Sequence, residues 1–325
     1  MPSLSSLKQS LGNSRALPAL YTFLTKPFEK SLRGLELEPA VPKIPKKVTA
    51  VVPNYNYANF LEARLNSILT QTYSVSELII LDDASTDHSV PLIKTLIDVI
   101  KPEYPDLKIK FIKNTQNSGK STFQWEKAFE IASGDFLWIA EADDLSDPNF
   151  LATVMQKFEE PSVVMSFSNS VAINKSGSVL TYDFANRSVD KLGTKLFERD
   201  FILSGEELTK HEFAINCIVP NVSSCVFRLA PKIPFEKYLK ESEKFSQTSD
   251  WYFYLRVLEH GSLAYSRPAL NYFRIHSHSV TANSKKSKTL LKEVKEIHAF
   301  IAENHPLSPT ILAAQSAEAS RIAKR

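Results

Sequence analysis

Residues 48–87 read VTAVVPNYNYANFLEARLNSILTQTYSVSELIILDDASTD, and their pattern decides the fold. Two short runs rich in β-branched residues, VTAVV (48–52) and ELIIL (77–81), flank a stretch at 59–71 in which apolar residues recur at helical spacing. A strand, a helix and a second strand in this order are typical of parallel strands whose connecting helix covers one face of the sheet. The sequence therefore predicts an α/β fold that starts at about residue 48.

The alternation of strands and helices continues downstream of this unit. Further strands are predicted at 108–112, 135–140 and 162–167, and further helices at 89–100 and 121–132. Asp147 followed by Pro148 has the residue types of a helix N-cap and first turn, so another helix is expected to open there. We expect a mostly parallel central sheet, followed after about residue 168 by shorter strands and longer loops.

The composition excludes several classes of protein. The 325 residues are 43% hydrophobic and 23% charged, as in globular proteins and unlike disordered or collagen-like ones. The formal net charge of +3 gives no reason to expect a nucleic-acid partner. The 8 glycines form neither GxGxxG nor GxxxxGKS/T, which excludes dinucleotide-binding Rossmann enzymes and Walker ATPases.

Cysteine usage and hydropathy favour a cytoplasmic protein. Cys217 and Cys225 form no CxxC or Cys/His cluster, so a structural zinc site is not expected. The apolar stretch at 16–24 carries Pro18 and no small-residue cleavage site, and we predict neither a signal peptide nor a spanning helix. The basic segment 1–47 is either an arm packed on the main domain or, through residues 18–35, a peripheral membrane contact at the inner face.

Polar and acidic residues follow four of the predicted strands. They are Pro53–Asn56, Asp82–Asp87, Asn117–Lys120 and Glu141–Asp144. Ligands of open parallel sheets bind at the carboxyl ends of the strands, so these residues are the candidates for a binding site. The three acids at 141–144 would repel one another without a cation, and Mg²⁺ or Mn²⁺ held against a diphosphate would relieve this. The alternative is an acidic cluster favoured by the dipole of the helix after Asp147.

The other strand-end residues each have a binding and a structural interpretation. Asp82 and Asp83 could accept hydrogen bonds from a base or a ribose, or form an Asx turn. Tyr55 could offer its ring to a nucleobase, or be an ordinary exposed loop tyrosine. Lys120 could neutralise a phosphate, or be solvated. Further along the chain, Asp250 lies near the start of a predicted helix, where an acid is commonly an N-cap.

These motifs, in this order, resemble the family 2 glycosyltransferases of the GT-A fold. The matching stretches are VVPNYN (51–56), LNSILTQTY (65–73), ELIILDDASTD (77–87), NSGKSTFQWEKAFEIASGDFLWIAEADD (117–144), SDWYFYLRVLEHG (249–261) and YFRIHSHSVT (272–281). They cover residues 48–281. FQWEKAF followed by GDFLWIAEADD is similar to bacterial members that build O-antigen, capsule or other cell-surface polysaccharides.

The resemblance implies a role for each candidate on the donor side. Pro53 and Tyr55 frame the nucleobase, Asp83 hydrogen-bonds it and Asp82 supports the site. Lys120 stands where the family often has an arginine that serves the nucleotide, so the charge is kept and bidentate geometry is lost.

The acids at 141–144 and the downstream motifs receive their roles in the same way. Asp143 and Asp144 correspond to the DXD-type acids that hold ribose and a metal, and Glu141 stands in place of the leading acid as a third candidate metal ligand. Asp250 matches the catalytic base, with Ser249 where the family has a glutamate. Arg274 and His276, which share one side of an extended segment, are expected to close over the phosphates or the acceptor as a lid.

The implied activity is transfer of a sugar from a nucleotide-diphospho-sugar to the hydroxyl of a saccharide or lipid-linked saccharide, with inversion and Mg²⁺ or Mn²⁺. The implied division is a basic extension and linker (1–47), a nucleotide-sugar-binding half (48–168), an acceptor and catalytic-base half (169–284) and a basic helical tail (285–325). The alternatives are a non-catalytic GT-A scaffold and a sugar-phosphate nucleotidyltransferase. Nothing in the sequence selects the donor sugar or its base.

Overall fold

The structure, a computed structural model, describes residues 46–185, 194–276 and 287–324. Most of the predicted N-terminal extension and the end of the YFRIHSHSVT stretch, residues 277–281, lie outside the described residues. The strands are β1 (Val48–Asn54), β2 (Glu77–Asp82), β3 (Lys108–Lys113), β4 (Phe136–Ile139), β5 (Leu145–Ser146), β6 (Val163–Ile173), β7 (Val179–Asp183), β8 (Phe201–Ser204), β9 (Cys225–Arg228) and β10 (Ser262–Arg274).

Helices alternate with the first strands and dominate the C-terminal end. They are α1 (Ala58–Leu69), α2 (Ser89–Glu103), α3 (Ser121–Ile131), α4 (Phe150–Gln156), α5 (Gly205–Lys210), α6 (Glu212–Ile215), α7 (Phe235–Ser242), α8 (Ser249–Leu258), α9 (Ser287–Asn304) and α10 (Pro309–Ala323). Among the described residues, no helix is both long enough and apolar enough to cross a membrane.

The strands form one sheet, which is parallel in its N-terminal half and mixed in the other. The order is β3-β2-β1-β4-β9-β6-β10-β5, with β7 beside β6 and β8 beside β10. Strands β1 to β4 run parallel to one another. Beyond β4 the sheet is more mixed than predicted, because β9 inserts antiparallel between β4 and β6, although β6 and β10 run parallel to each other. The single sheet also crosses the predicted boundary at 168, since β6 continues to Ile173 along β10.

The predicted strands and helices of the first half all occur, with one shifted start. Helix α4 begins at Phe150, whereas the sequence suggested Pro148. Asp147 accepts a hydrogen bond from the Asn149 N–H on its side chain and from the Phe150 N–H on its carbonyl, so it forms a turn ahead of the helix.

Successive side chains of the central strands point alternately into two hydrophobic cores, one on each face of the sheet. Ala50 and Val52 of β1 pack with α1, α2 and α4, whereas Val51 packs with α3, α7 and α8. The second core also receives Ile297 and Ile301 of α9, both with 0% exposure. The helical C-terminal segment predicted as a tail is therefore docked on the same core as α8.

Candidate active site

The loops that follow β1 and β2 form one hydrogen-bonded unit. Asn54 Nδ2 donates to Asp82 Oδ2 at 2.8 Å and to Ser85 Oγ at 3.1 Å. Asn56, with a φ of 59°, accepts from the Thr86 N–H at 2.7 Å. A positive φ is tolerated by asparagine better than by most residues, and these bonds hold it there. The two strand ends thus present a fixed surface at the carboxyl edge of the sheet.

The residues predicted to frame a nucleobase lie on this surface. Pro53 is buried in β1 opposite Leu81, and Tyr55 projects from the turn with 43% exposure. Asp82 is fully buried and also accepts from the Ser85 N–H at 3.0 Å, and its predicted support of a nucleotide site stays a prediction. Contact of Pro53 and Tyr55 with a base stays a prediction.

Asp83 is the centre of a dense hydrogen-bond network. Its carboxylate accepts from Asn114 Nδ2 at 2.7 Å, Ser118 Oγ at 2.7 Å and Gln124 Nε2 at 2.8 Å. The Ser118 N–H also donates to both carboxylate oxygens at 3.0 Å. In the structure Asp83 therefore orders the segment before α3, and the predicted bond to a base stays a prediction. Lys120 follows this segment and donates to the Glu243 carbonyl at 2.5 Å, so it bridges to the loop after α7.

Glu141, the first acid of the 141–144 segment, is partly buried and hydrogen-bonded. Trp125 Nε1 donates to its Oε1 at 2.7 Å, and its own N–H donates to Ser223 Oγ at 3.1 Å. Burial and the neighbouring charge of Asp143 raise the pKa of Glu141 to about 8. At neutral pH this carboxyl is thus largely protonated unless a cation comes near it.

Asp144 is held on both oxygens. Asn221 Nδ2 donates to its Oδ2 at 2.5 Å, and the Arg274 N–H donates to its Oδ1 at 2.9 Å. Burial and the charge of Asp143 raise the pKa of Asp144 to about 7. Asp143 is more open: its side chain keeps 14% exposure, and His276 Nε2 lies 3.0 Å from its Oδ2.

Arg274, the last residue of β10, and His276, two residues after it, support this segment through hydrogen bonds. The Arg274 guanidinium donates to the Asp143 carbonyl at 2.6 Å and to the carbonyls of Asn174 and Lys175 at 2.9 Å. Both side chains are buried, and both pack against the Phe60 ring. A lid role stays a prediction, and the arrangement is against it for Arg274, because its donors already bind three backbone carbonyls.

Arg64 of α1 is a buried cation that none of the sequence motifs indicated. It has 0% exposure, stacks over the Trp138 ring at 4.9 Å and donates to Ser146 Oγ at 3.0 Å. Its Nε and Nη2 have no hydrogen-bond partner among the described residues. Burial lowers the pKa of Arg64 to about 10, against the opposing charges of Asp144 and Asp143. The signal was present in the sequence, since a charged residue stands within the apolar stripe of α1.

Asp250 lies in the first turn of α8, partly buried, with its Oδ1 accepting from the Trp251 N–H at 2.8 Å. Burial raises its pKa to about 6. The buried Tyr254 hydroxyl, one helical turn further, has no hydrogen-bond partner among the described residues. Burial raises the pKa of Tyr254, and the charges of Asp250 and Glu141 add to the rise, so both acids are within electrostatic reach of this hydroxyl.

The segment from Asn221 to Cys225 connects the acids to α8. Asn221 and Ser223 hold Asp144 and Glu141, and the Cys225 thiol is within electrostatic reach of Asp250. Ser223 and Ser224 have 0% exposure, so these two side chains of the segment are packed inside the protein.

The acids suit a cation that is shared with a ligand better than a closed metal cage. Among the described residues, no group of three or more His, Cys, Asp or Glu side chains has metal-holding geometry. Mg²⁺ is typically held by one or two carboxylates together with substrate phosphates. The adjacent Asp143 and Asp144 match that donor set, and a cation would relieve the repulsion by which the charge of Asp143 helps to raise the pKa of Asp144.

Comparison with known proteins decides the family. The model of Glycosyl transferase family 2 matches residues 49–211. The chain belongs to this family. The predicted family, enzyme class and GT-A fold are thereby confirmed.

Curated relatives match over parts of the chain. An uncharacterized glycosyltransferase of Nostoc sp. is 34% identical over 36% of this chain, and the match spans only 34% of that relative. An uncharacterized glycosyltransferase of Haemophilus influenzae is 25% identical over 78% of this chain and 93% of its own length. A Campylobacter jejuni relative named GalNAc(5)-diNAcBac-PP-undecaprenol beta-1,3-glucosyltransferase is 27% identical over 49% of this chain and 48% of its own.

Solved structures share the fold at low sequence identity. Staphylococcus aureus TarS with UDP-GlcNAc has a TM-score of 0.58 and 16% identity, over 84% of this chain and 72% of that one. The mannosyltransferase PcManGT of Pyrobaculum calidifontis with GDP-Man and Mn²⁺ has a TM-score of 0.54 and 16% identity, over 94% of this chain and 77% of that one. At this identity the likeness shows the fold.

Proposed function

We propose that the chain transfers a glycosyl group from a nucleotide-diphospho-sugar to an acceptor hydroxyl, with inversion, and that Asp250 is the base. The observation that carries the proposal is that the acids after β4 and the candidate base in α8 both lie near the same buried segment. Glu141 and Asp144 are fastened to the segment from Asn221 to Cys225, and Asp250 approaches the same segment from α8.

The environment of Asp250 suits a general base. A pKa of about 6 leaves the carboxyl ionised at neutral pH, yet makes it more basic than an ordinary aspartate. Asp250 would take the proton of the acceptor hydroxyl while its oxygen bonds to the anomeric carbon. The bond from that carbon to the diphosphate oxygen breaks in the same step, and the configuration inverts.

The donor side is built from the strand ends. Asp143 and Asp144 would hold Mg²⁺ or Mn²⁺, which when bound supplies positive charge for the departing diphosphate. His276 orients the Asp143 carboxylate, and Asn221 with the Arg274 N–H orients that of Asp144. This bonding keeps the two acids in place before the donor arrives, which is the preorganisation that transition-state stabilisation requires.

The nucleotide would lie on the surface of the β1 and β2 loops. Pro53 and Tyr55 would frame the base, Asp83 would hydrogen-bond it with Asp82 in support, and Lys120 would serve the nucleotide. Tyr55 supports this because its ring stands exposed beside the rigid turn, where a base could stack at little ordering cost. The neighbours TarS and PcManGT, solved with UDP-GlcNAc and GDP-Man, support a nucleotide-sugar donor.

We propose a saccharide or lipid-linked saccharide as the acceptor, in cell-surface polysaccharide synthesis such as that of O-antigen. The name of the Campylobacter jejuni relative, which contains a PP-undecaprenol carrier, supports this class. A lipid-linked acceptor would place the protein at the inner face of the cell membrane, with the basic segments 1–47 and 285–325 as the contacts.

A donor screen tests the proposal directly. UDP-, dTDP- and GDP-sugars would be incubated with the protein and Mn²⁺ or Mg²⁺, and nucleotide release measured with and without saccharide acceptors. A donor in hundredfold excess over its Kd should add about 2.7 kcal/mol to the apparent free energy of unfolding. Asp143→Ala/Asp144→Ala should lose this effect, and Asp98→Asn, at an exposed acid of α2, should keep it. Binding without transfer to any acceptor would favour the scaffold alternative.

A further inference from the structure

The loop before α8 is tied to one carboxylate from the C-terminal part of the chain. Glu293 of α9 accepts from the Ser246 N–H at 2.8 Å and the Ser246 hydroxyl at 2.7 Å. It also accepts from the N–H groups of Gln247 and Thr248, at 2.9 and 3.1 Å, and from the Thr248 hydroxyl at 3.1 Å. Five donors from three consecutive residues thus converge on a single side chain.

This carboxylate, which belongs to another helix, binds the three residues that lead into α8, the last of which is Thr248. Thr248 is the N-cap residue of α8, and its own side chain makes no capping hydrogen bond. The first N–H groups of a helix lack partners within it, and the helix dipole places partial positive charge there. Glu293 supplies both acceptors and negative charge just ahead of that turn, two residues before Asp250.

Glu293 is itself rigidly held. It is buried, and its neighbours on α9, Val294 and Ile297, belong to the core that α8 shares. Burial alone would raise the pKa of Glu293, but the hydrogen bonds from Ser246, Gln247 and Thr248 lower it, so the group is an anion at neutral pH. Because this anion is fixed on a helix that is packed against the core, it can hold the loop before α8 in one position.

We propose that Glu293 is a positioning residue for the catalytic base: it fixes the start of α8 so that Asp250 meets the acceptor hydroxyl. The inference rests on the proposed function, since it assumes that Asp250 is the base. It makes α9 part of the active site although α9 lies outside residues 49–211, which the family model matches. Ser249, directly before Asp250, brings no carboxylate of its own, so the anion at this turn comes from Glu293.

The charge of Glu293 has a second effect that can be measured. Burial is the main cause of the raised pKa of Asp250, and the Glu293 charge raises it further. The other titratable groups in electrostatic reach are the Cys225 thiol of β9 and the Tyr254 phenol of α8, and burial raises both of their pKa values, so they are neutral at pH 7. Glu293 is therefore the anion in this set that biases Asp250.

The test compares Glu293→Gln with Glu296→Gln, a partly exposed glutamate on the same helix. The glutamine removes the charge and places an amide N–H₂ toward backbone N–H groups. A misplacement of a catalytic group by about 1 Å can cost on the order of 100-fold, so we expect kcat for transfer to fall at least about tenfold. Donor Kd should stay within about twofold, and the acidic limb of the kcat profile should move to lower pH. Glu296→Gln should change none of these.

Two milder variants cover the case in which Glu293→Gln folds poorly. Ser246→Ala removes one of the five hydrogen bonds at an exposed residue and should lower kcat modestly without moving the acidic limb. Glu293→Asp shortens the side chain but keeps the charge, so it should lower kcat while the acidic limb of the pH profile stays in place. Unchanged kcat in a folded Glu293→Gln protein would overturn the proposal. The proposal would also be overturned if kcat and donor affinity fell together while the acidic limb of the pH profile did not move, because that result indicates a general loss of structure. If Asp250→Asn leaves transfer intact, the proposed function fails, whatever the Glu293 variants do.

Discussion

Asp250→Asn should abolish most of the transfer, and the wild-type rate should follow the ionisation of this carboxyl. Removing a general base typically costs 10² to 10⁴-fold in rate. Because the pKa of Asp250 is raised to about 6, the active, deprotonated base is lost as the pH falls through 6. At pH 5 a carboxyl of pKa about 6 is ionised in roughly one molecule in ten, whereas an ordinary aspartate is ionised in roughly nine in ten. We therefore expect kcat at pH 5 to be roughly a tenth of its plateau.

The acids of the donor site titrate at higher pH, which allows the two effects to be separated. The pKa of Glu141 is raised to about 8 and that of Asp144 to about 7, so the donor KM should worsen as the pH falls below about 7. Initial rates of nucleotide release between pH 4.5 and 8.5, at saturating and at low donor, give kcat and KM separately. A kcat that is flat from pH 5 to 8, or an Asp250→Asn variant within tenfold of wild type, would refute the role of this residue.

Three further predictions concern stability. Burial alone would raise the pKa of Glu77, but hydrogen bonds from Lys110 and other donors lower it to about 2. The lowered pKa in the folded state stabilises the protein above about pH 4.5, and this stabilisation is lost as the pH falls toward 2. Glu77→Gln should therefore reduce the free energy of unfolding by about 2 kcal/mol at pH 7, after allowing for the partly exposed lysine. Urea titrations of the wild type and the variant at pH 7 and pH 3 check the cost and its pH dependence. Arg64→Lys loses the planar stacking on Trp138 and should cost about 1–3 kcal/mol in the same assay. Gly205→Ala would put a Cβ 2.0 Å from the Leu258 carbonyl oxygen and should lower the Tm clearly, since overpacking costs about 1–3 kcal/mol.

The first half of the fold was predictable because its signals are local. Strands β1 to β4 and the helices between them follow from runs and periodicities of fewer than about 15 residues. The antiparallel insertion of β9 between β4 and β6 was not predictable, because CVFR (225–228) is short and its pairing depends on partners that lie far away in sequence. The extension of β6 to Ile173 has the same cause, since β10 provides the partner.

In the candidate site, too, the local features were predictable and the long-range contacts were not. The acids after β2 and β4 were found because parallel strands bring their carboxyl ends to one edge. The groups that fix those acids, such as Asn221 for Asp144 and Glu293 for the loop before Asp250, come from distant segments of the chain. A single asparagine or glutamate carries no sequence signal for such a contact. Sequence patterns therefore indicated the candidate acids and missed the residues that hydrogen-bond to them or to the adjoining loop.

The charge balance of the donor site explains why a cation should accompany the nucleotide. Three carboxylates, those of Glu141, Asp143 and Asp144, face the two buried guanidiniums of Arg64 and Arg274, and burial of this net negative set raises the pKa of two of the acids. A diphosphate carries negative charge of its own, so it would be repelled from the site at about pH 8 and above, where Asp144 is ionised and Glu141 becomes ionised as well. A divalent cation reverses that repulsion, and protonation of the acids weakens it. Without added metal, donor binding should thus be stronger at pH 6 than at pH 8, and with Mn²⁺ the order should reverse, because the cation binds the deprotonated acids.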